Sequence, residues 1–464
     1  MTRYHARWIV PVSAPPVAHG TLVERAGRIV WIGARADAPA READDTDVDL
    51  GDVILLPGLV NAHCHLELTA MRGFLDGLAF REWVLRLTAA RRAVLDEAAL
   101  LDSARLGVAE GVRAGITTFA DTGDSGTGFD AMLEAGVRGI CYREVFGPDP
   151  AQCERAVGEL REKFERMRAR ETSLVHVGVS PHAPYTVSDA LYRATAALAR
   201  ELEAPVAVHI AVSALETELV SSGAGAFADG LRRRGIAVAS RARSPIALLG
   251  ALGVLDVDPL LIHCVRVDDD DIRAIVGHRC AVAHCPASNA RLAHGIAPLA
   301  ELLAAGADVG LGSDSVASND RMDLLDEARL ALLFATARSQ NASSLSAAKA
   351  LELATLGGAR ALRLDGEVGS LEVGKAADLA AFPLGARGRG PTHDPVAAAV
   401  LALAGAPASF VAVAGRPLVR EGVLRDADPS LARRVQESAD RLQAWRTTPD
   451  AARALSDPQP TAGR

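Results

Sequence analysis

Between Val53 and Ser315 the chain repeats one alternation eight times: a short apolar run, then, in most cases, a longer stretch whose apolar positions recur at helical spacing. The runs are VILLPGLVNAH, ITTFADT, VRGICYREVFG, LVHVGVSPHAP, PVAVHIAV, LLIHCVRV, CAVAHCPAS and DVGLGSDS. Their length and β-branched content predict strands, and stretches such as AQCERAVGELREKFERMRAR after the third predict helices. Eight strands alternating with helices over about 250 residues is the size and rhythm of a (β/α)8 barrel.

The pattern differs at the two ends. RIVWIGARAD and DVDLGDVIL near the start, and LEVGKAADLAAF and FVAVAGRPLVREG near the finish, read as short β-runs broken by turns. Residues 1–56 and 371–425 are therefore expected to build one small β-sandwich together, flanking a barrel over 57–370. Residues 426–464 read as a helix from about Pro429 followed by a polar, Pro-containing tail of disordered composition. The stretch from Val396 to Gly415 carries no charge, and length alone would make it a membrane span. It is mostly Ala and is interrupted by Gly405, Pro407 and Ser409, which predicts a buried helix and strand instead.

Composition narrows the class of partner. With 464 residues, 49% hydrophobic and 23% charged, the chain is long and apolar enough for a large domain plus a smaller one. Its formal net charge is −8, and its basic residues are scattered, so neither nucleic acid nor an anionic membrane is indicated. A small-molecule substrate is the expected partner. The first twenty residues show no secretory pattern, which predicts a cytoplasmic protein. A homodimer is one assembly that a helix-rich barrel exterior allows. Three of the six cysteines (Cys64, Cys264 and Cys285) directly follow a histidine. Neighbours on a strand point to opposite faces, so all six are read as small buried thiols rather than ligands.

Chemistry collects at the ends of the predicted strands. His63 and His65 flank Cys64 at the end of the first, and an i, i+2 pair on a strand shares a face, so both imidazoles can meet one metal ion. His182 ends the fourth strand, His209 the fifth, His263 the sixth and Asp314 the eighth. In this fold catalytic groups occupy the C-terminal strand ends.

PGLVNAHCH, SPHAPYT, the strand-five His, LIHCV, HCPASNARL and LGSDSVASN together resemble the amidohydrolase superfamily, over about residues 50–385. The nearest branch is that of deaminases acting on adenosine-like compounds, S-adenosylhomocysteine, aminodeoxyfutalosine, cytosine and related heterocycles, with the triazine chlorohydrolases. The resemblance implies a divalent metal held by His63, His65, His209 and Asp314, with His263 and Asp314 moving a water's proton and His182 contacting the substrate. Binuclear relatives bridge their ions with a strand-four lysine, and Lys163, Lys349 and Lys375 all lie elsewhere, so one ion is implied. Zinc is the first choice and Fe(II) the alternative. The branch also places an aromatic residue over the site, here Trp83, and nine positions later an acid that holds ribose hydroxyls, here Arg92. Arg143 at the end of strand three and Glu67 after the His pair are further candidate substrate contacts. Asn289 and Ser318-Asn319 are expected to orient ligands, and His284 reads as structural as readily as catalytic. The HxE and PCxxC signature of the cytidine-type zinc deaminases is absent, because His284-Cys285-Pro286 has the residues in the wrong order.

One departure is sharp. The branch's strand-five motif reads His-x-x-Glu, and that Glu protonates the ring nitrogen beside the carbon under attack. Here the position is Val212. Three explanations stand open: another acid such as Glu67, Glu216 or Glu218 takes over, the leaving group departs as a stable anion, or the change leaves a folded but poorly active protein. The leading expectation is hydrolytic deamination of an amino-substituted heterocycle or modified purine nucleoside. The alternatives are hydrolysis of another C–N or C–Cl bond, and a metal- or ligand-binding barrel without catalysis.

Overall fold

A computed structural model of the chain describes residues 1–385 and 391–456. Barrel strands one to four, Leu59–His65, Ile116–Gly123, Arg138–Val145 and Val175–Pro181, pair in parallel in that order. Strands five to eight, Ala207–Ile210, Leu260–His263, Ala281–His284 and Asp308–Leu311, do the same. Two seams join the halves. At one, Val179 bridges Val206 in parallel and the His209 amide donates to the His182 carbonyl at 3.0 Å. At the other, Asp314–Ser315, which continues strand eight past Gly312, pairs in parallel with Cys64 and His65 of strand one. Asn61 reinforces this seam: its Oδ1 accepts from the Ser313 amide at 3.0 Å and its Nδ2 donates to Ser313 Oγ at 2.8 Å. The strands are thus arranged as a TIM-type barrel and are mostly buried, as parallel strands covered by helices are.

Crossover helices form where the periodicity predicts them, and local capping sets their starts. Ser188 accepts from the Leu191 amide to begin Asp189–Leu202, whose buried side is Leu191, Tyr192, Thr195, Ala196, Leu198 and Ala199. Asp268 and Asp271 make a reciprocal capping box for Asp269–Gly277. The crossover after strand one is longer. It carries helix Phe80–Val94, which lies over the barrel mouth, before helix Glu97–Arg113 leads to strand two.

Both chain ends meet in one nine-stranded sheet. Val53–Pro57 is parallel to Thr2–Ile9 on one side and antiparallel to Leu379–Pro383 on the other. Residues from both termini, among them Tyr4, Ile9, Leu55, Leu379 and Phe410, share its core. The isolated bridge from Arg28 to Ala376 ties the far edge strand, Arg28–Ala34, back to the C-terminal segment, so the sheet folds over that core. The first apolar run therefore divides at Gly58, with Val53–Pro57 in the end sheet and Leu59–His65 in the barrel. A Cβ at Gly58 would lie 2.1 Å from Thr117 Oγ1, so only glycine passes this junction without displacing strand two.

The uncharged stretch near residue 400 forms helix Pro395–Leu401 and strand Phe410–Val413. Among the described residues no helix is long and apolar enough to cross a membrane. Helices Leu431–Trp445 and Pro449–Ser456 follow, and the Arg434 guanidinium grips Asp102 through two bonds of 2.7 and 2.8 Å. The polar end expected to be disordered, 457–464, lies outside the described residues. Five cysteines are buried free thiols. Cys153 is the exception: it begins a largely exposed helix, Cys153–Arg168, and is half-buried.

Candidate metal centre and cavity

The strand ends bring the predicted ligands together. His63 and His65 project from strand one, His209 from strand five, His263 from strand six and Asp314 from beyond strand eight. His209 Nε2 lies 3.3 Å from His65 Nε2. Asp314 Oδ1 lies 3.4 Å from His63 Nε2 and 3.6 Å from His65 Nε2. One ligand atom from each of His63, His65 and His209 falls within 4.8 Å of the others, and the same holds for His63, His263 and Asp314.

This donor set fits a divalent cation. Burial pushes the pKa of His63 down to about 4, lowers that of His263 and drives that of His209 well below the ordinary imidazole value. Burial alone would raise Asp314, but His63 facing it at 3.4 Å and the surrounding imidazoles outweigh it and hold the carboxyl well below the usual range. His65 and His209 facing one another across 3.3 Å, beside a carboxylate held in its ionised form, offer imidazole nitrogens and negative charge to a cation. His63 Nε2 is buried and makes no hydrogen bond within the geometric limits, as expected of an atom reserved for a ligand bond.

The backbone is bent to achieve this. Ala211, His263 and Asp314 all have positive φ, at 52°, 79° and 56°. For non-glycine residues each such conformation costs about 1–3 kcal/mol, and they recur here at three strand ends of one site. Gly312 admits the turn between strand eight and Asp314, because a Cβ there would stand 2.9 Å from the His63 carbonyl oxygen.

Further side chains hold these candidate ligands in place. Asn289 Oδ1 lies 3.0 Å from His263 Nδ1, so Nδ1 carries the hydrogen and Nε2 faces Asp314 Oδ2 at 4.0 Å. Asp314 Oδ1 accepts from the Ser315 amide at 2.6 Å, and Oδ2 accepts from Ser288, which bonds in turn to Ser318. Asn319 donates to the Ser313 carbonyl at 2.8 Å, shaping the loop as its position suggested.

The cluster opens into a cavity of about 780 Å³, at the upper part of the range for small-molecule sites. Helix Phe80–Val94 lines it with Phe80, Trp83, Val84, Leu87, Thr88 and Arg91, one face of the helix at i, i+3 and i+4 steps. His182 borders it too, its Nδ1 2.7 Å from Thr186 Oγ1, and burial takes its pKa to about 3. Aromatic rings make up much of the wall: Phe80 stacks on Trp83 and meets Tyr185 and His294 edge-on, and Phe146 lies against His182. Arg92, standing where relatives carry the ribose-binding acid, is also at the lining.

The acids proposed to replace the missing one are mostly committed elsewhere. Glu216 is buried beneath the turn and accepts from the amides of Ala211 and Val212, both at 2.8 Å. Burial still pushes its pKa up to about 7. Glu218 is exposed on helix Ala214–Ser222. Glu67 borders the cavity, but Arg91 takes one oxygen at 2.6 Å and Ser125 donates to the other. Val212 itself lines the cavity from an apolar cluster that includes Ala183, Tyr185, Leu219 and Phe227.

The lining groups that the sequence does not single out include Glu144, Asp124 and His294. On strand three it is Glu144 that faces the cavity. Arg143, its neighbour, is buried and runs toward Gly126, close enough to Asp121 for its charge to act there. Alternation could have flagged one of the two as inward, but not which, since a one-residue slip exchanges the faces. His284 is buried and does not border the cavity.

Known proteins repeat this architecture. The amidohydrolase family profile matches residues 54–416. A 5-methylthioadenosine/S-adenosylhomocysteine deaminase from Moorella thermoacetica is 33% identical over 426 residues, covering 90% of this chain and 94% of that protein. The crystal structure of an adenosine deaminase from Xanthomonas campestris with bound zinc superposes with a TM-score of 0.84 at 29% identity, covering 96% of this chain and 98% of that one. Atrazine chlorohydrolase from Arthrobacter aurescens, complexed with zinc, gives 0.81 at 25% identity, covering 95% and 100%. A histidine and aspartate cluster at the mouth of a TIM-type barrel, in a chain that these proteins match almost end to end, makes this protein a member of the amidohydrolase family and an enzyme of that class.

Proposed function

We propose that the protein hydrolytically removes the exocyclic amine of a nucleoside-like aromatic heterocycle, with one zinc ion held by His63, His65, His209 and Asp314. The observation that carries this is the gathering of His63, His65, His209 and Asp314 at the floor of an aromatic-walled cavity, in two triads that share His63. When bound, such an ion supplies Lewis acidity that brings the pKa of a water near neutrality. Asp314 Oδ2 and His263 Nε2 stand 4.0 Å apart, so the two side chains would be placed to take up and pass on a proton at that point. Asn289 keeps His263 in the tautomer this needs. His182, neutral and anchored by Thr186, offers its Nε2 to a polar atom of the substrate ring or its substituent. Phe80 and Trp83 supply the flat apolar surface on which a heteroaromatic ring packs.

The relatives supporting a nucleoside substrate are named for 5-methylthioadenosine and S-adenosylhomocysteine. Ammonia release from the zinc-loaded protein, measured over adenosine, these two thioether nucleosides, aminopyrimidines and aminopteridines, tests the proposal. Release from at least one compound is expected, and silence on all of them with zinc bound overturns it. Val212 favours a second reading, hydrolysis of a bond such as C–Cl whose leaving group departs as an anion and needs no acid. Chloride release from a chlorotriazine without ammonia from any amine would establish that one instead.

A further inference from the structure

Oxygens from strands two and three also approach the imidazoles that face the metal position. Thr122 Oγ1 lies 3.4 Å from His63 Nδ1, and 3.3 and 3.4 Å from the Nδ1 and Nε2 of His65. His209 turns its Nε2 to His65 and its Nδ1 to Glu144 Oε1, 3.8 Å away. Neither atom of this last pair has another partner: His209 Nδ1 and Glu144 Oε1 are both buried and both without a hydrogen bond. Buried polar atoms are nearly always paired, so two orphans facing one another are most simply a single unclosed bond. The gap is about an ångström longer than a hydrogen bond, a distance a small side-chain rotation covers.

We infer that Glu144 is a positioning residue of the metal centre, whose carboxyl oxygen receives the Nδ1 hydrogen of His209 and so directs the Nε2 lone pair of that ring at the ion. An imidazole bound through one nitrogen needs its hydrogen on the other, and a carboxylate partner there both fixes the tautomer and stiffens the ring. The geometry distinguishes Glu144 from the other acids near the site. Glu216 is occupied by two backbone amides and Glu67 by Arg91 and Ser125, whereas Glu144 Oε1 is uncommitted and also stands 4.0 Å from His182 Nε2. Because the Nδ1 of His182 is already taken by Thr186, the same carboxyl borders a metal ligand and a substrate contact at once.

This inference rests on the proposed zinc site, and its test separates the two. The full-length protein and its Glu144→Gln and Glu144→Ala variants are stripped of metal and titrated with zinc against a chromophoric chelator, with the fold of each checked by circular dichroism. The expected result is one equivalent of zinc in all three, with affinity about 10- to 100-fold weaker in Glu144→Ala. Glu144→Gln, whose amide oxygen still accepts, should fall between. Unchanged zinc affinity in Glu144→Ala, with or without loss of turnover, overturns the inference. So does a second equivalent in the parent that vanishes from both variants, since Glu144 with His182 and His209 would then be ligands of another ion. If the parent itself binds no zinc, the metal reading falls and the positioning role with it.

Discussion

Substitution of Val212 by Glu offers the most direct access to the chemistry of this site. Val212 is the fourth residue of the strand-five motif that begins at His209, and its backbone is already held in place, because Glu216 clamps its amide and that of Ala211 at 2.8 Å each. A longer side chain at this position starts from the cavity wall, so its carboxyl enters the space beside the ligand cluster. The surrounding apolar residues, Ala183, Tyr185, Leu219 and Phe227, would raise its pKa and favour the protonated form that a general acid requires. A positioned acid contributes about 10² to 10⁴ in rate, or about 3 to 5 kcal/mol of transition-state stabilisation. The opposing cost is the lost burial of the valine, about 2 kcal/mol of stability. Val212→Glu is therefore expected to melt earlier than the parent and yet deaminate at least about 10²-fold faster on one amine, read as kcat/KM from ammonia release by metal-loaded protein. A folded, zinc-loaded Val212→Glu with parental rates on every compound would refute the reasoning. The proton would then come from elsewhere or not be needed.

Metal retention should show an unusual pH profile. A ligand imidazole must be neutral, and with His63 lowered to about 4 protons compete for that ring only well below the ordinary imidazole range. Metal content after dialysis is accordingly expected to keep falling as the pH drops toward 4, where His63 takes up its proton, and complete loss already near the unperturbed value of about 6.5 would contradict the burial of His63. Gly312→Ala places a methyl group 2.8 Å from His63 Cβ and 2.9 Å from its carbonyl oxygen, so strand one or the turn to Asp314 must move. A stability loss of about 1–3 kcal/mol together with reduced zinc content is expected, checked by thermal unfolding and metal analysis. Unaltered values in both would show that the turn has room the structure does not display.

The barrel, the end-sheet partnership and the histidines and aspartate that gather at the strand ends were legible in the sequence because each is encoded locally. An apolar run of strand length, followed by an amphipathic helix, repeats its signal every few dozen residues regardless of what lies across the barrel. His63, His65, His209, His263 and Asp314 could be found because this fold puts reactive groups at strand ends, which are positions along the chain. The absence of an acid at Val212 is likewise a fact about one position. Tertiary structure decided the rest. Glu144 and His209 come from strands that are not paired with each other, and nothing near either residue announces the other; they meet through the closure of the ring. Glu216 looked free on its loop, and only the folded turn shows both its oxygens spent on backbone amides. Glu144, not Arg143, lines the cavity because strand register, fixed by pairing with Val175–Pro181, decides which of two neighbours points inward. Sequence periodicity specifies that faces alternate, whereas the identity of the inward face, and the partners waiting there, depend on contacts between segments far apart in the chain.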